Sequence, residues 1–165
     1  MKRLNPLKIV LALVLVLASA GLIAAEERRL LKTTLDNGLT VILEEDRSAP
    51  VAAFQMWVRV GSADETEDEA GIAHVFEHML FKGTQKRKVG EIAAEVEAAG
   101  GYINAYTSYD TTVYHLAVAS RYFSKGLDII SDALQRSSFD PMELEKEKEV
   151  VLEELKMNED APERK

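Results

Sequence analysis

Apolar and polar positions alternate, then cluster at helical spacing, along most of this chain. Residues 31–45 read as two short strands around Asp36-Asn37-Gly38, a tight-turn signal set between apolar runs. Residues 51–60 predict a third strand, with Val51, Phe54, Met56, Val58 and Val60 apolar and Pro50 marking its start. A loop over 61–69 follows, holding five carboxylates between Asp64 and Glu69, and it reads as a solvated charge cluster rather than a metal trap. Helical spacing of Ile72, Val75, Phe76, Met79 and Leu80 predicts a helix over 71–81, ended by Gly83. A second, alanine-rich helix is expected over 89–99, stopped by Gly100-Gly101. Strands over 102–107 and 111–119 come next, joined by Ser108-Tyr109-Asp110. Residues 121–136 predict a helix with Phe123, Leu127, Ile130 and Leu134 on its inner face. Asp140-Pro141 then caps and starts a last helix reaching about Met157. Hairpins followed by helices, without strict strand-helix alternation, point to an α+β fold with a largely antiparallel sheet.

The N-terminus changes the picture of where this domain works. Lys2, Arg3 and Lys8 precede an apolar run from Ile9 that continues to Ala25 before Glu26-Glu27, the layout of a secretory signal peptide. Ala18-Ser19-Ala20 has the small-x-small form of a cleavage site, and Ala25 is a second candidate. The same run, at the short end of what spans a bilayer, also fits an uncleaved anchor. Residues 1–25 are therefore expected to export residues 26–165 to the periplasm, released or membrane-anchored. The 165 residues include no cysteine, which excludes a disulfide framework and a thiol nucleophile. A net charge of −8 argues against nucleic-acid binding.

The chemistry lies in His74-Val75-Phe76-Glu77-His78. Positions i and i+4 of a helix share a face one turn apart, so both imidazoles can reach one metal ion. Glu77 points to the same side, at a reach suited to a water on the metal. This is a His-x-x-Glu-His pattern, the reverse of the commoner His-Glu-x-x-His. A catalytic zinc site takes three protein ligands and keeps one open position, so a third ligand is needed: a carboxylate or His115. His115 sits in an alternating strand and reads as an ordinary sheet histidine. The last helix is the better source, because Glu147, Val150, Val151 and Glu154 recur at i, i+3, i+4, i+7, which aligns two carboxylates between apolar residues expected to face the core. A carboxylate there is costly without a partner, and a metal is one. Glu143, Glu145 and Glu149 read as solvated helix residues.

Three separated blocks, 74–84 (His-Val-Phe-Glu-His-Met-Leu-Phe-Lys-Gly-Thr), 100–107 (Gly-Gly-Tyr-Ile-Asn-Ala-Tyr-Thr) and 147–157, resemble the N-terminal catalytic part of the pitrilysin/insulinase/mitochondrial processing peptidase family of zinc metallopeptidases. The resemblance implies zinc held by His74, His78 and Glu154, with Glu77 as general base and Glu147 as a second acid supporting the site. It places Asn104 and Ala105 on a strand that pairs with extended peptide substrate. It further implies a zinc metalloendopeptidase whose zinc-activated water attacks the peptide carbonyl. Members of the family are built from two or four similar domains, so the chain is expected to be one incomplete half-domain that needs a second half or a partner subunit, and to hydrolyse peptides poorly alone.

Other readings predict different observations. S-ribosylhomocysteinase shares the His-x-x-Glu-His pattern but needs cysteine, which this chain lacks. A non-catalytic scaffold or zinc-binding subunit, paired with a catalytic or substrate-binding partner, predicts metal without hydrolysis. A purely structural envelope protein predicts neither.

Overall fold

The computed structural model describes residues 29–159, so the expected signal segment 1–25 lies outside the described residues. Among those residues no helix is long and apolar enough to cross a membrane. The described residues fall into two units, one ending at Ala49 and one beginning at Pro50.

The first unit is a hairpin. Strand β1 (Arg29–Thr34) pairs antiparallel with β2 (Thr40–Glu45), Arg29 opposite Glu45 and Thr34 opposite Thr40. The expected turn forms: Gly38 adopts φ +85 and donates its N–H to Leu35 O, while Asn37 Oδ1 accepts from Leu39 N at 3.1 Å. A left-handed backbone at Gly38 is open to glycine at little cost.

The second unit carries the site. Its sheet has the order β3-β5-β4, all antiparallel, from β3 (Val51–Val58), β4 (Tyr102–Thr107) and β5 (Thr112–Ala119). The alternation expected of β3 holds, with Ala52, Phe54, Met56 and Val58 turned toward the core, although the strand ends at Val58 rather than Val60. Tyr114, Leu116 and Val118 of β5 form the middle of that core. On this face pack α2 (Glu91–Ala98), through Ile92 and Val96, and α3 (Phe123–Arg136), through Ile129, Ile130 and Ala133. The mixture of helices and antiparallel strands agrees with the expected α+β class.

The inner face of α3 matches the expected one at Ile130 and Leu134 and departs from it at Phe123 and Leu127. Phe123 and Leu127 are about half exposed, and the buried residues are Gly126, Ile129, Ile130, Asp132 and Ala133. Close approach explains the departure. A Cβ at Gly126 would come within 2.8 Å of the Phe54 ring and 3.0 Å of Leu116, so the absent side chain lets the helix backbone lie on the sheet.

Helix α1 (Ile72–Met79) is shorter than its apolar pattern. Gly71 takes φ +91 and stands as its N-cap, and after Leu80 a turn closed by Lys82 N to Met79 O carries Phe81 out of the helix. The last helix, α4 (Pro141–Glu159), begins where Asp140-Pro141 predicts. Asp140 Oδ1 accepts from Met142 N and Glu143 N at 2.8 and 3.2 Å, satisfying two of the free N–H groups of the first turn. Helices α1 and α4 pack together.

Candidate metal centre

The facing sides of α1 and α4 bring five predicted site residues into one neighbourhood. From α1, His74 and His78 place their Nε2 atoms 3.2 Å apart. From α4, Glu154 Oε2 lies 3.4 Å from His74 Nε2 and 3.7 Å from His78 Nε2. Three electron-pair donors thus form a small triangle. Zinc bound tetrahedrally at about 2.0–2.1 Å needs ligand atoms roughly 3.3 Å apart, so the donor set fits that ion. His115 is not in this cluster: it lies on the opposite face of the sheet, opposite Gln55 and Asn104, with Tyr102 and Tyr106 edge-on to its ring.

Glu147 and Glu154 sit on one face of α4, as the spacing predicts, but they meet different atoms. Glu147 is buried, and its Oε2 takes His78 Nδ1 at 3.0 Å, on the side of the ring away from the triangle. Its Oε1 takes Lys82 Nζ at 2.7 Å. Burial pushes the Glu147 carboxyl up, yet the hydrogen bonds from Lys82 and His78 outweigh it and hold the group below its ordinary value. An ionised carboxylate only accepts, so His78 donates from Nδ1, which leaves Nε2 as the ring atom it can offer to a metal. Of the two valines between these acids, Val151 is buried as expected, while Val150 is 42% exposed and belongs to the flank. Glu143, expected to be solvated, is mostly covered and pairs with Lys146 at 2.6 Å.

Glu77 lines the same open cleft, of about 640 Å³, as His74, Ala105 and Thr107. Thr107 Oγ1, at the end of β4, donates to Glu77 Oε2 at 2.6 Å. Buried Tyr114 is pushed up to about 12, by burial first and by the Glu77 charge second. Ala105 opens onto the cleft; Asn104 is exposed, and its Oδ1 accepts from Ala105 N at 2.9 Å. Strand β4 pairs only with β5 among the described residues, so its other edge is free.

Sequence reasoning missed three contributors. Thr107 and Lys82 touch the site only through contacts that spacing does not encode. Glu65, inside the acidic loop, is a clamp on the start of α1: its two oxygens accept from Gly71 N and Ala73 N, each at 2.8 Å. Its carboxylate thereby meets the positive end of the helix that carries both histidines. Asp64 and Glu69 likewise accept from Gly61 N and Thr66 N, so three of the loop's carboxylates are spent on local turns.

Helix α1, bearing two histidines and a glutamate, thus packs against α4, bearing two more acids, beside the open edge of β4. Comparison with known proteins gives this arrangement a family. Residues 40–165 match the family described as Insulinase (Peptidase family M16), and the chain belongs to that family. It is 42% identical over 129 residues to the "Uncharacterized zinc protease YmxG" of Bacillus subtilis, covering 78% of this chain and 32% of that one. It is 40% identical over 134 residues to the "Probable mitochondrial-processing peptidase subunit beta" of Arabidopsis thaliana, covering 81% and 25%. Among solved structures, pitrilysin matches at 30% identity with a TM-score of 0.75 over 81% of this chain and 14% of its own. A protease from Helicobacter pylori matches at 30% identity with a TM-score of 0.79, over 83% and 33%. The chain therefore spans about a third, or less, of the length of these relatives.

Proposed function

We infer that this chain forms the metal-bearing part of a zinc-dependent endopeptidase acting on peptides held in extended form. The observation that carries the reading is the convergence of His74 Nε2, His78 Nε2 and Glu154 Oε2 within 3.2–3.7 Å, with Glu77 lining the same open cleft as His74. The names of the relatives, zinc proteases among them, support the same chemistry. When bound there, zinc supplies Lewis acidity, which brings deprotonation of water into the neutral range and polarises a peptide carbonyl.

The chain's own residues do the rest. Thr107 occupies Glu77 Oε2, which leaves Oε1 free to accept the proton of an attacking water and then deliver it to the leaving amine. The free edge of β4 can add a peptide strand through main-chain hydrogen bonds, which fixes register before any side chain is read. Such addition at Ala105 requires the Asn104 side chain to release the Ala105 N–H it now holds. Relatives more than twice as long, two of them named as subunits, support a second half or partner that closes over the peptide.

Glu77→Gln in the full-length protein tests this reading. The amide keeps the shape and loses the proton acceptor, so zinc stays at one per chain while kcat/KM for a quenched fluorescent peptide falls by about 10²- to 10⁴-fold. A near wild-type rate overturns the base assignment. Zinc at one per chain without chelator-sensitive hydrolysis in the wild type favours the scaffold subunit instead.

A further inference from the structure

We propose that Lys82 is a positioning residue of the metal centre, acting on His78 through Glu147; the proposal rests on the zinc reading above. Lys82 lies in the tight turn that ends α1, one helical turn beyond His78, so its ammonium returns toward the face that carries the ring. The Glu147 carboxylate is divided between two partners, Oε1 to Lys82 Nζ at 2.7 Å and Oε2 to His78 Nδ1 at 3.0 Å. Glu147 is 5% exposed, and among the described residues no other donor is recorded on its Oε1.

Geometry gives the ammonium a task beyond neutralising charge. A buried carboxylate oxygen without a partner is costly, so removing Lys82 favours any rotation that brings Oε1 to water or to another donor. Both oxygens belong to one rigid plane, and such a rotation carries Oε2 off His78 Nδ1. The ring then loses the hydrogen bond that sets its tautomer and its aim at the triangle. Glu77, Glu147 and Glu154 also place three acids around two imidazoles, and Lys82 is the one Lys or Arg paired with any of them among the described residues. Its side chain is one-third exposed.

The test is a double-mutant cycle on zinc affinity in the full-length protein, read by competition with a chelating dye, with the urea midpoint of the metal-free protein measured beside it. Lys82→Met is expected to raise the zinc Kd by about 10- to 100-fold, the usual loss when a partner of a ligand is removed, in protein that the urea titration shows to be folded, its midpoint lowered because Glu147 Oε1 has lost its partner. In a Glu147→Gln background the same change is expected to add less than about twofold, because the route through Glu147 is already broken. If Lys82→Met fails to fold, Lys82→Gln takes its place in the cycle. A Kd within about twofold of wild type for the Lys82 variant overturns the proposal, and so does an equal loss in both backgrounds, which means that Lys82 acts independently of Glu147. A wild-type protein that binds no zinc overturns the metal reading itself, and is told apart from failure of the Lys82 proposal by that control alone.

Discussion

Two charged clusters in the second unit are built from similar parts and satisfied in opposite ways. In the first, Arg87, only 4% exposed, reaches Asp132 at 2.7 Å, Asp128 at 2.5 Å and Glu95 at 3.1 Å, while Thr84 Oγ1 donates to Asp132 at 2.6 Å. Every strong acid there faces a cation of the same chain. In the second, His74 Nε2, His78 Nε2 and Glu154 Oε2 converge on one point, and the ammonium of Lys82 is spent on Glu147 behind the ring. The first cluster is neutralised within the chain, joining the segment after α1 to α2 and α3, with Asp132 Oδ1 buried without a hydrogen bond and Arg136 Nη1 3.6 Å from it. The second has no Lys or Arg on its three candidate ligand atoms among the described residues, and this difference marks it as a candidate metal site rather than a structural ion network.

The sharpest way to break the comparison is to make the first cluster incomplete. Arg87→Met leaves Asp132, 1% exposed, with Thr84 as its main partner, and is expected to cost about 3–5 kcal/mol in urea unfolding without touching zinc stoichiometry. Loss of zinc together with unchanged stability would reverse the roles of the two clusters. A smaller effect is expected at Glu147, which stands outside the triangle. Glu147→Ala should weaken zinc by about 10- to 100-fold in a chelator competition, not abolish it. Complete loss of metal would make Glu147 a direct ligand.

The smallest effect is one of pH. Hydrogen bonds from Lys86 and Arg87 hold Asp128 down to about 2, against an ordinary 3.8. A carboxyl lowered in the folded state contributes stability that is present in full above its unfolded value and is lost as pH falls through the folded one. Urea midpoints should therefore fall between pH 4 and 2, and the fall should be shallower in Asp128→Asn. Asp128 is half exposed, so solvent screening keeps this contribution modest. Equal slopes in the two proteins would remove Asp128 from the account.

Much of this was legible in the sequence, for local reasons. Asp36-Asn37-Gly38 and Asp140-Pro141 mark a turn and a helix start because their chemistry acts within four residues. The pairing of His74 with His78, and the alignment of Glu147 with Glu154, follow from helical geometry alone. What periodicity could not do was tell the two acids apart. Their different partners, Nδ1 for Glu147 and the Nε2 pair for Glu154, depend on how α4 crosses α1. The α3 face was legible in part: Ile130 and Leu134 pack on the core as expected, whereas Gly126, which no hydrophobic pattern marks, lies against Phe54 and Leu116 in place of Phe123 and Leu127. The Lys82–Glu147, Thr107–Glu77 and Arg87–Asp132 contacts join segments 30 or more residues apart, where a single sequence carries no spacing signal.

The central claim is that His74, His78 and Glu154 hold one zinc ion. X-ray absorption at the zinc edge, on protein loaded with one equivalent and on its Glu154→Ala variant, tests it most directly. The predicted wild-type spectrum shows imidazole scattering from two histidines and only nitrogen and oxygen neighbours at about 2.0–2.1 Å, and the variant fails to retain the equivalent through gel filtration. A wild-type spectrum without histidine scattering, or full zinc retained by Glu154→Ala, would contradict the account.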